Sequence, residues 1–427
     1  MHQILLLGAG KSATVLIDYL LENASQENWF LTLGDMNVEA AKSKLGGSPH
    51  GKAVAIDIQQ AEERNKFIAA SDIVISLLPP TLHQLAAMSC VEKGKHLLTA
   101  SYVDDSIHQL ADVIEQKGLL FLCEMGLDPG IDHMSAMRII DGIHAKGGKV
   151  NRFLSHCGGL VAPESDDNPW HYKISWNPRN IILAGSAGAV YKENNQETRK
   201  PYAQIFESCP AIEVPGLPAL AWYPNRDSLA YIPLYHLEEA HTFIRTTLRY
   251  KSFCEAWQGI VAAGLTSVTD KVEPGTSYKV WSSGLSKAQL EHHFDAYSFL
   301  GLFDDRQIEP PVRDSATILQ ELAEKKLILS PSDKDMIVMI HELEYEINNQ
   351  SYQLTSHLVV KGRDHLRTAM AKTVGLPLGI AAKFILNGTI RSRGLKIPTE
   401  PGIYLPVLKE LEKEGICFEE KQESISH

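Results

Sequence analysis

Gln3-Ile4-Leu5-Leu6-Leu7-Gly8-Ala9-Gly10-Lys11-Ser12-Ala13-Thr14 is an apolar run, a glycine pair and the start of a helical pattern, in that order. The run does not alternate in polarity, so it reads as a strand buried on both faces. Gly8, Ala9, Gly10, Lys11, Ser12 and Ala13 then have the G-x-G-x-x-A form. Glycines at those places let the backbone turn tightly and approach a pyrophosphate, and the helix start offers it N–H groups. Asp35 closes a second apolar run 25 residues beyond Gly10. An acidic side chain there accepts hydrogen bonds from both ribose hydroxyls and repels a 2′-phosphate, so NAD is expected rather than NADP. A bare glycine turn beside a solvated aspartate would leave the strands around it unexplained. A phosphate loop of nucleotide hydrolases built on Gly10-Lys11-Ser12 would need its first glycine at Leu5, inside the strand.

Outward from this loop, six apolar runs can be named: Gln3 to Leu7, Trp29 to Leu33, Ala53 to Ile58, Asp72 to Leu78, His96 to Ala100 and Leu119 to Cys123. Helical patterns such as Ser12 to Leu21 and His83 to Lys93 separate them. Strands alternating with helices predict an α/β domain, a doubly wound parallel sheet of the Rossmann type, over residues 1–126. Gly126-Leu127-Asp128-Pro129-Gly130 then leads into a helix whose stripe is Ala136, Ile139, Ile140 and Ile143, stopped at Gly147-Gly148. Residues 127–363 read as an inserted mixed α/β substrate domain, ending in a hairpin of Met336 to Ile347 with Tyr352 to Lys361. Within it, 286–335 reads as a small helical satellite. Asp364 to Asn387 is a long helix pattern, and 364–395 is expected to complete the first domain.

Composition bounds the rest. The 427 residues carry 41 Lys and Arg against 52 Asp and Glu, a formal charge of −11 with no basic block, which argues against a nucleic-acid partner. No apolar stretch reads as long enough to cross a membrane, and the amino terminus lacks a signal-peptide pattern. Six scattered cysteines without a C-x-x-C pair suit a reducing compartment, so a cytoplasmic location is expected. His341-Glu342-Leu343-Glu344-Tyr345 lacks the second histidine of a zinc-protease helix, His292-His293 does not place two imidazoles on one helical face, and no G-x-S-x-G elbow occurs. No metal is expected.

Polar groups gather instead at strand ends and turns, where doubly wound sheets bind ligands. Ser76-Leu77-Leu78-Pro79-Pro80 and Ala100-Ser101-Tyr102 end two strands, and Asp128 and His133 flank the boundary helix. Further on stand His156-Cys157-Gly158-Gly159, Tyr223-Pro224-Asn225-Arg226-Asp227-Ser228 and Arg245-Thr246-Thr247-Leu248-Arg249-Tyr250. Taken singly, each of these could be structural.

The strings SLLPPTLH, TASYV, EMGLDPGIDHM, CGGLVAPESDDNPWHYKISW, YPNRDS and TLRYKSF strongly resemble the L-glutamate-forming saccharopine dehydrogenase family, and the likeness runs on to AMAKTVGLPLGIAAKFILNGTI. The resemblance implies an oxidoreductase of lysine metabolism and a homodimer. It implies a substrate, saccharopine, whose secondary amine joins a lysine skeleton to a glutaryl unit. Oxidation beside that amine gives an imine that water splits into glutamate and 2-aminoadipate 6-semialdehyde. Gly34-Asp35 in place of an arginine looks like the NAD-using branch. Expected cofactor contacts are Gly8, Gly10, Lys11, Ser12, Ala13, Asp35, Asp57, Ile58, Leu77, Leu78 and Asp128, with Gly130, Ile131, Asp132 and His133. Expected substrate contacts are Ser101, Tyr102, Asp128, Arg226, Arg245 and the turn of Thr246, Thr247 and Leu248. Arginine is the natural clamp for three carboxylates. Asp128 and Tyr102 are the candidates for proton transfer, with Cys157 the weaker one because an ordinary thiol is mostly protonated at neutral pH. Two departures from the family pattern are Pro80, where an aromatic is usual, and Thr246, where glycine is common. A carboxyspermidine-type dehydrogenase is the nearest alternative and a non-catalytic dinucleotide-binding regulator the other.

Overall fold

The runs without polar alternation do become parallel strands, largely buried except at the edge strand Gly51–Ala55, whose residues are half-buried or exposed. In a computed structural model, which describes residues 1–425, β1 (His2–Leu7), β2 (Trp29–Asp35), β3 (Gly51–Ala55), β4 (Ile73–Ser76), β5 (His96–Thr99) and β6 (Leu120–Leu122) lie in the order β6-β5-β4-β1-β2-β3. All pair parallel. The order reverses between β1 and β4, and at such a switch point the carboxyl ends of the strands open a crevice. A seventh strand, Gly394–Lys396, adds beside β6; three residues are too few to show a pattern in the sequence. β3 stops at Ala55, so Asp57 and Ile58 fall in the following loop, with Ile58 packed in the core between sheet and helices.

Two compact units emerge, Met1–Lys146 with Leu366–Cys417, and Gly147–His365 with the chain from Phe418 onward. The boundaries differ from those read in the sequence. Residues 127–146 stay with the first unit because the helix Ile131–His144 buries its stripe there against the helix Pro401–Lys413, where the Tyr404 hydroxyl donates to Asp141 Oδ2 at 2.6 Å. The first unit also runs past 395 to take in that second helix, which the sequence reading left out. The helix Ala369–Leu386, capped by the Thr368 side chain accepting from the Ala371 N–H, packs on the helix Thr14–Glu22. Gly375 makes this approach close, since a Cβ there would stand 2.9 Å from the Leu16 nitrogen. By its 18 residues and mean hydropathy of 1.4 this helix meets the length and composition needed to cross a membrane, against the expectation that no stretch does. It is 72% buried within the fold, as a core helix is.

The second unit is a mixed sheet. Ala211–Ile212, Leu220–Pro224, Thr242–Tyr250, Lys149–Val161, Asp335–Ile347, Gln350–Lys361 and Glu419–Ile425 lie in that order, parallel only between Thr242–Tyr250 and Lys149–Val161. The expected satellite at 286–335 is part of the main core. Its helices Lys287–Leu300 and Ser315–Lys326 bury Ala296, Tyr297, Leu300 and Leu319 in one cluster with Trp170 and Trp257, and Trp170 Nε1 donates to the Ala296 carbonyl at 2.7 Å.

Candidate active site

The glycine loop is fixed by contact with the end of β4. Gly8 has φ of +101°, and a Cβ on it would lie 2.8 Å from the Leu77 carbonyl oxygen, so only glycine fits. Gly10 is exposed with nothing near its open face, and Lys11–Ala13 form one 3₁₀ turn into the helix Thr14–Glu22. Ala13 is buried, Ser12 half-buried and Lys11 exposed. Leu77 and Leu78, half-buried, follow β4 over the loop.

Asp35 faces this loop. Its Oδ2 accepts the Ala9 N–H at 2.7 Å and its Oδ1 the Asn37 N–H at 2.8 Å. Each carboxylate oxygen thus already holds a main-chain donor. Lys44 reaches back across the loop, its Nζ donating to the Gly10 carbonyl and the Thr14 hydroxyl, both at 2.7 Å. Burial lowers the Lys44 pKa, with the Asp18 and Asp35 charges opposing that fall.

A second polar group forms where β4, β5 and β6 end. His83 bridges two strand ends: its Nδ1 pairs with the Ser76 hydroxyl at 2.8 Å and its Nε2 with the Ser101 hydroxyl at 2.7 Å. Burial pushes its pKa down to about 4, so at neutral pH the ring is uncharged and donates to one hydroxyl while accepting from the other. Glu124 grips the same segment from the far side. It is buried at φ of +55°, donates its N–H to the Ser101 carbonyl at 3.0 Å, accepts the Val103 N–H on Oε1 at 3.1 Å, and meets His133 Nε2 through Oε2 at 2.8 Å. Held at Ser101 and Val103, the chain presents Tyr102, whose hydroxyl donates to Asp128 Oδ1 at 3.3 Å. Asp132 turns back to accept the Gly130 N–H at 2.6 Å, and Ile131 is fully buried.

The structure therefore joins Ser101, Tyr102, Asp128, Asp132 and His133 in one network and adds His83 and Glu124, neither of which the sequence reading assigned. His83 stood inside the quoted SLLPPTLH string. Glu124 opened the quoted EMGLDPGIDHM string. Asp57 sits apart from the network, its N–H donating to Glu63 Oε2 and its Oδ1 capping Gln59.

In the second unit, Thr246, Thr247 and Leu248 are not a turn but the middle of the Thr242–Tyr250 strand. Alternation sends Thr247 to one face and Thr246 and Leu248 to the other. Leu248 is a core residue, packed with Leu160, Leu220 and Met336, so its side chain is no substrate contact. Thr246 Oγ1 meets His156 Nδ1 at 2.7 Å, and His156 Nε2 meets Glu342 Oε2 at 3.1 Å. That hydrogen bond, together with the His156 charge, holds the Glu342 carboxyl below the usual carboxylate range. Arg245 is buried, with its guanidinium carbon 4.2 Å from the centroid of the Tyr231 ring, and its N–H donates to Ser228 Oγ at 3.0 Å. Arg226 is exposed at φ of +54° in the short strand Arg226–Asp227, which pairs with Ala189 and Val190. Cys157 is buried beside Thr247 in register. Among the described residues no three His, Cys, Asp or Glu groups converge as metal ligands.

A glycine loop at the switch point of a doubly wound sheet, with a hydroxyl, imidazole and carboxylate network at the neighbouring strand ends, defines a dinucleotide-binding oxidoreductase. Residues 4–122 match the family model described as the saccharopine dehydrogenase NADP binding domain, and residues 126–416 match the saccharopine dehydrogenase C-terminal domain. The chain belongs to the saccharopine dehydrogenase family. It is 35% identical to the saccharopine dehydrogenase [NADP(+), L-glutamate-forming] of Saccharomyces cerevisiae, with 98% of each chain covered. It is 34% identical to the alpha-aminoadipic semialdehyde synthase of Arabidopsis thaliana, covering 98% of this chain but 45% of that protein. The solved apo histidine-tagged saccharopine dehydrogenase (L-Glu forming) from S. cerevisiae superposes with a TM-score of 0.90 at 32% identity, over 99% of this chain and 100% of that one.

The expectation of NAD falls on these findings. The matching amino-terminal model is an NADP binding domain, and the S. cerevisiae and Schizosaccharomyces pombe relatives are named for NADP(+). The expectation rested on the type and spacing of one side chain; in the structure Asp35 accepts the Ala9 and Asn37 N–H groups and so also ties the glycine loop to the turn after β2, a task its charge alone did not show.

Proposed function

We propose that the protein interconverts saccharopine, NADP and water with L-glutamate, 2-aminoadipate 6-semialdehyde and NADPH. The observation that carries the reading is the Tyr102 to Asp128 contact, fixed by His83 and Glu124 at the strand ends that border the glycine loop. The loop fits a dinucleotide: Gly8 leaves no room for a Cβ, Gly10 is open on its outer face, and a helix start follows. When bound, NADP supplies the hydride acceptor.

The chain's own residues do the rest. Saccharopine carries three carboxylates, for which Arg245 and Arg226 are bidentate donors. Its amine must be neutral to release hydride, and water must lose a proton to attack the imine. Asp128 holds a proton acceptor within reach of the Tyr102 hydroxyl, so the pair can receive the amine proton on the carboxylate and orient it by the phenol. Cys157 is a buried thiol and takes no step here.

Purified protein mixed with saccharopine and NADP should show growth of the reduced-nucleotide absorbance, with NAD at least tenfold less effective in kcat/KM. Turnover of a carboxypolyamine with none of saccharopine would reverse the assignment.

A further inference from the structure

Two cysteines that no sequence motif joins meet in the second unit. Cys254 is the fourth residue of the helix Lys251–Ala262, at 1% exposure, in the same core cluster as Phe253 and Trp257, whose rings stack at 5.2 Å. Cys209 packs half-buried on that cluster. The chain around it is held on both sides: Phe206 is buried with its ring 4.5 Å from that of Tyr223, and the Pro210 carbonyl accepts the Trp222 N–H at 3.0 Å. The Cys209 thiol lies 3.9 Å from the Phe206 carbonyl oxygen and is hydrogen-bonded to the Cys254 thiol. Both sulfurs therefore sit side by side on backbone that packing has fixed.

The two thiols differ in what they can do. The hydrogen bond with Cys254 brings the Cys209 thiol below its ordinary range, against burial and with the Lys200 charge assisting. The same hydrogen bond, together with burial, holds Cys254 well above that range. A partly accessible thiol that ionises readily, beside a shielded one, is the arrangement in which the first attacks an incoming sulfur and the second resolves the product. Cys90 and Cys123 are the contrast: burial raises both, and each is a packing thiol in the core of the first unit.

We propose that Cys209 and Cys254 are a dithiol that closes to a disulfide by exchange with a small-molecule disulfide such as oxidised glutathione. The Cys209 thiolate attacks one sulfur of the oxidant, whose S–S bond breaks and releases one thiolate. Cys254 then attacks the Cys209 sulfur of the mixed disulfide, and its proton passes to the second departing thiolate. The chain gives up two electrons and two protons, and the oxidant leaves as two thiols. The new bond ties residues 206–210 to the helix Lys251–Ala262. This modification does not depend on which substrate the protein turns over.

The test incubates reduced wild type with oxidised glutathione, raised until exposed Cys417 carries it, which controls for the oxidant. Remaining thiols are then alkylated and the peptides mapped without reductant. Most chains should show a cross-link between the peptides holding Cys209 and Cys254, and dithiothreitol should reverse it. Cys254→Ser should stop at glutathione held on Cys209, and Cys209→Ser should leave Cys254 unmodified. Glutathione on Cys417 with Cys209 and Cys254 both still free would overturn the proposal. So would glutathione retained on Cys209 of wild type without a cross-link. The wild-type map decides by itself, so a serine variant that fails to fold does not suspend the result.

Discussion

His83 places a measurable charge event at the heart of the strand-end network. Its folded pKa of about 4 lies below the ordinary histidine value of 6.5, because burial penalises the imidazolium. The unfolded chain therefore takes up this proton first as the pH falls. The stability that His83 contributes is complete above pH 6.5 and is lost between 6.5 and 4, amounting to roughly 3 kcal/mol over that interval. Urea melts at pH 7 and pH 4.5 should show the loss, and His83→Asn should flatten the slope between them; an unchanged slope would detach the ring from the acid transition. Asp35 teaches the opposite lesson about single residues. Its type and spacing were legible, but the direction of its carboxylate was not, because the Ala9 N–H that captures it comes from another strand's loop. Glu124 stood in a quoted string but its role was not legible for a related reason: its three partners, at Ser101, Val103 and His133, are contributed by two other segments.

Among the elements, the helix Ala369–Leu386 was legible from its apolar composition, and its glycines explain how it seats. Gly375 lies against the Leu16 main chain, and Gly379 against Leu16 and Tyr19. Gly375→Ala forces a Cβ to 2.9 Å from the Leu16 nitrogen, where backbone cannot yield cheaply, so a destabilisation of about 1 to 3 kcal/mol is expected from overpacking. Denaturant midpoints measure it directly, and a stabilised variant would mean that helix propensity outweighs the contact. Other elements resisted reading. The helices Lys287–Leu300 and Ser315–Lys326 carry enough polar residues to look like an outlying piece, yet their apolar positions join one core cluster with Trp257 and with Trp170, the latter more than a hundred residues away along the chain. The centre of the strand Thr242–Tyr250 was expected as a turn from the family resemblance, and it carries the polar residues Arg245, Thr246 and Thr247. Buried hydrogen-bonding partners such as Ser228 and His156 are what make those residues tolerable inside a sheet.

For the whole molecule, cofactor linkage gives the cleanest check. A ligand that binds only the folded chain stabilises it by about 2.7 kcal/mol at a hundredfold excess over Kd. NADP should therefore raise the melting temperature at concentrations where NAD leaves it unchanged, and the reverse order would restore the ribose argument built on Asp35. The sequence by itself determined the doubly wound sheet, the glycine loop and the family, because burial on both faces and a φ that only glycine tolerates are constraints written in local residue types. Only the tertiary structure decided where the units divide and which carboxylate is already bonded. Those depend on groups brought together from distant segments, and local patterning carries no record of the partner.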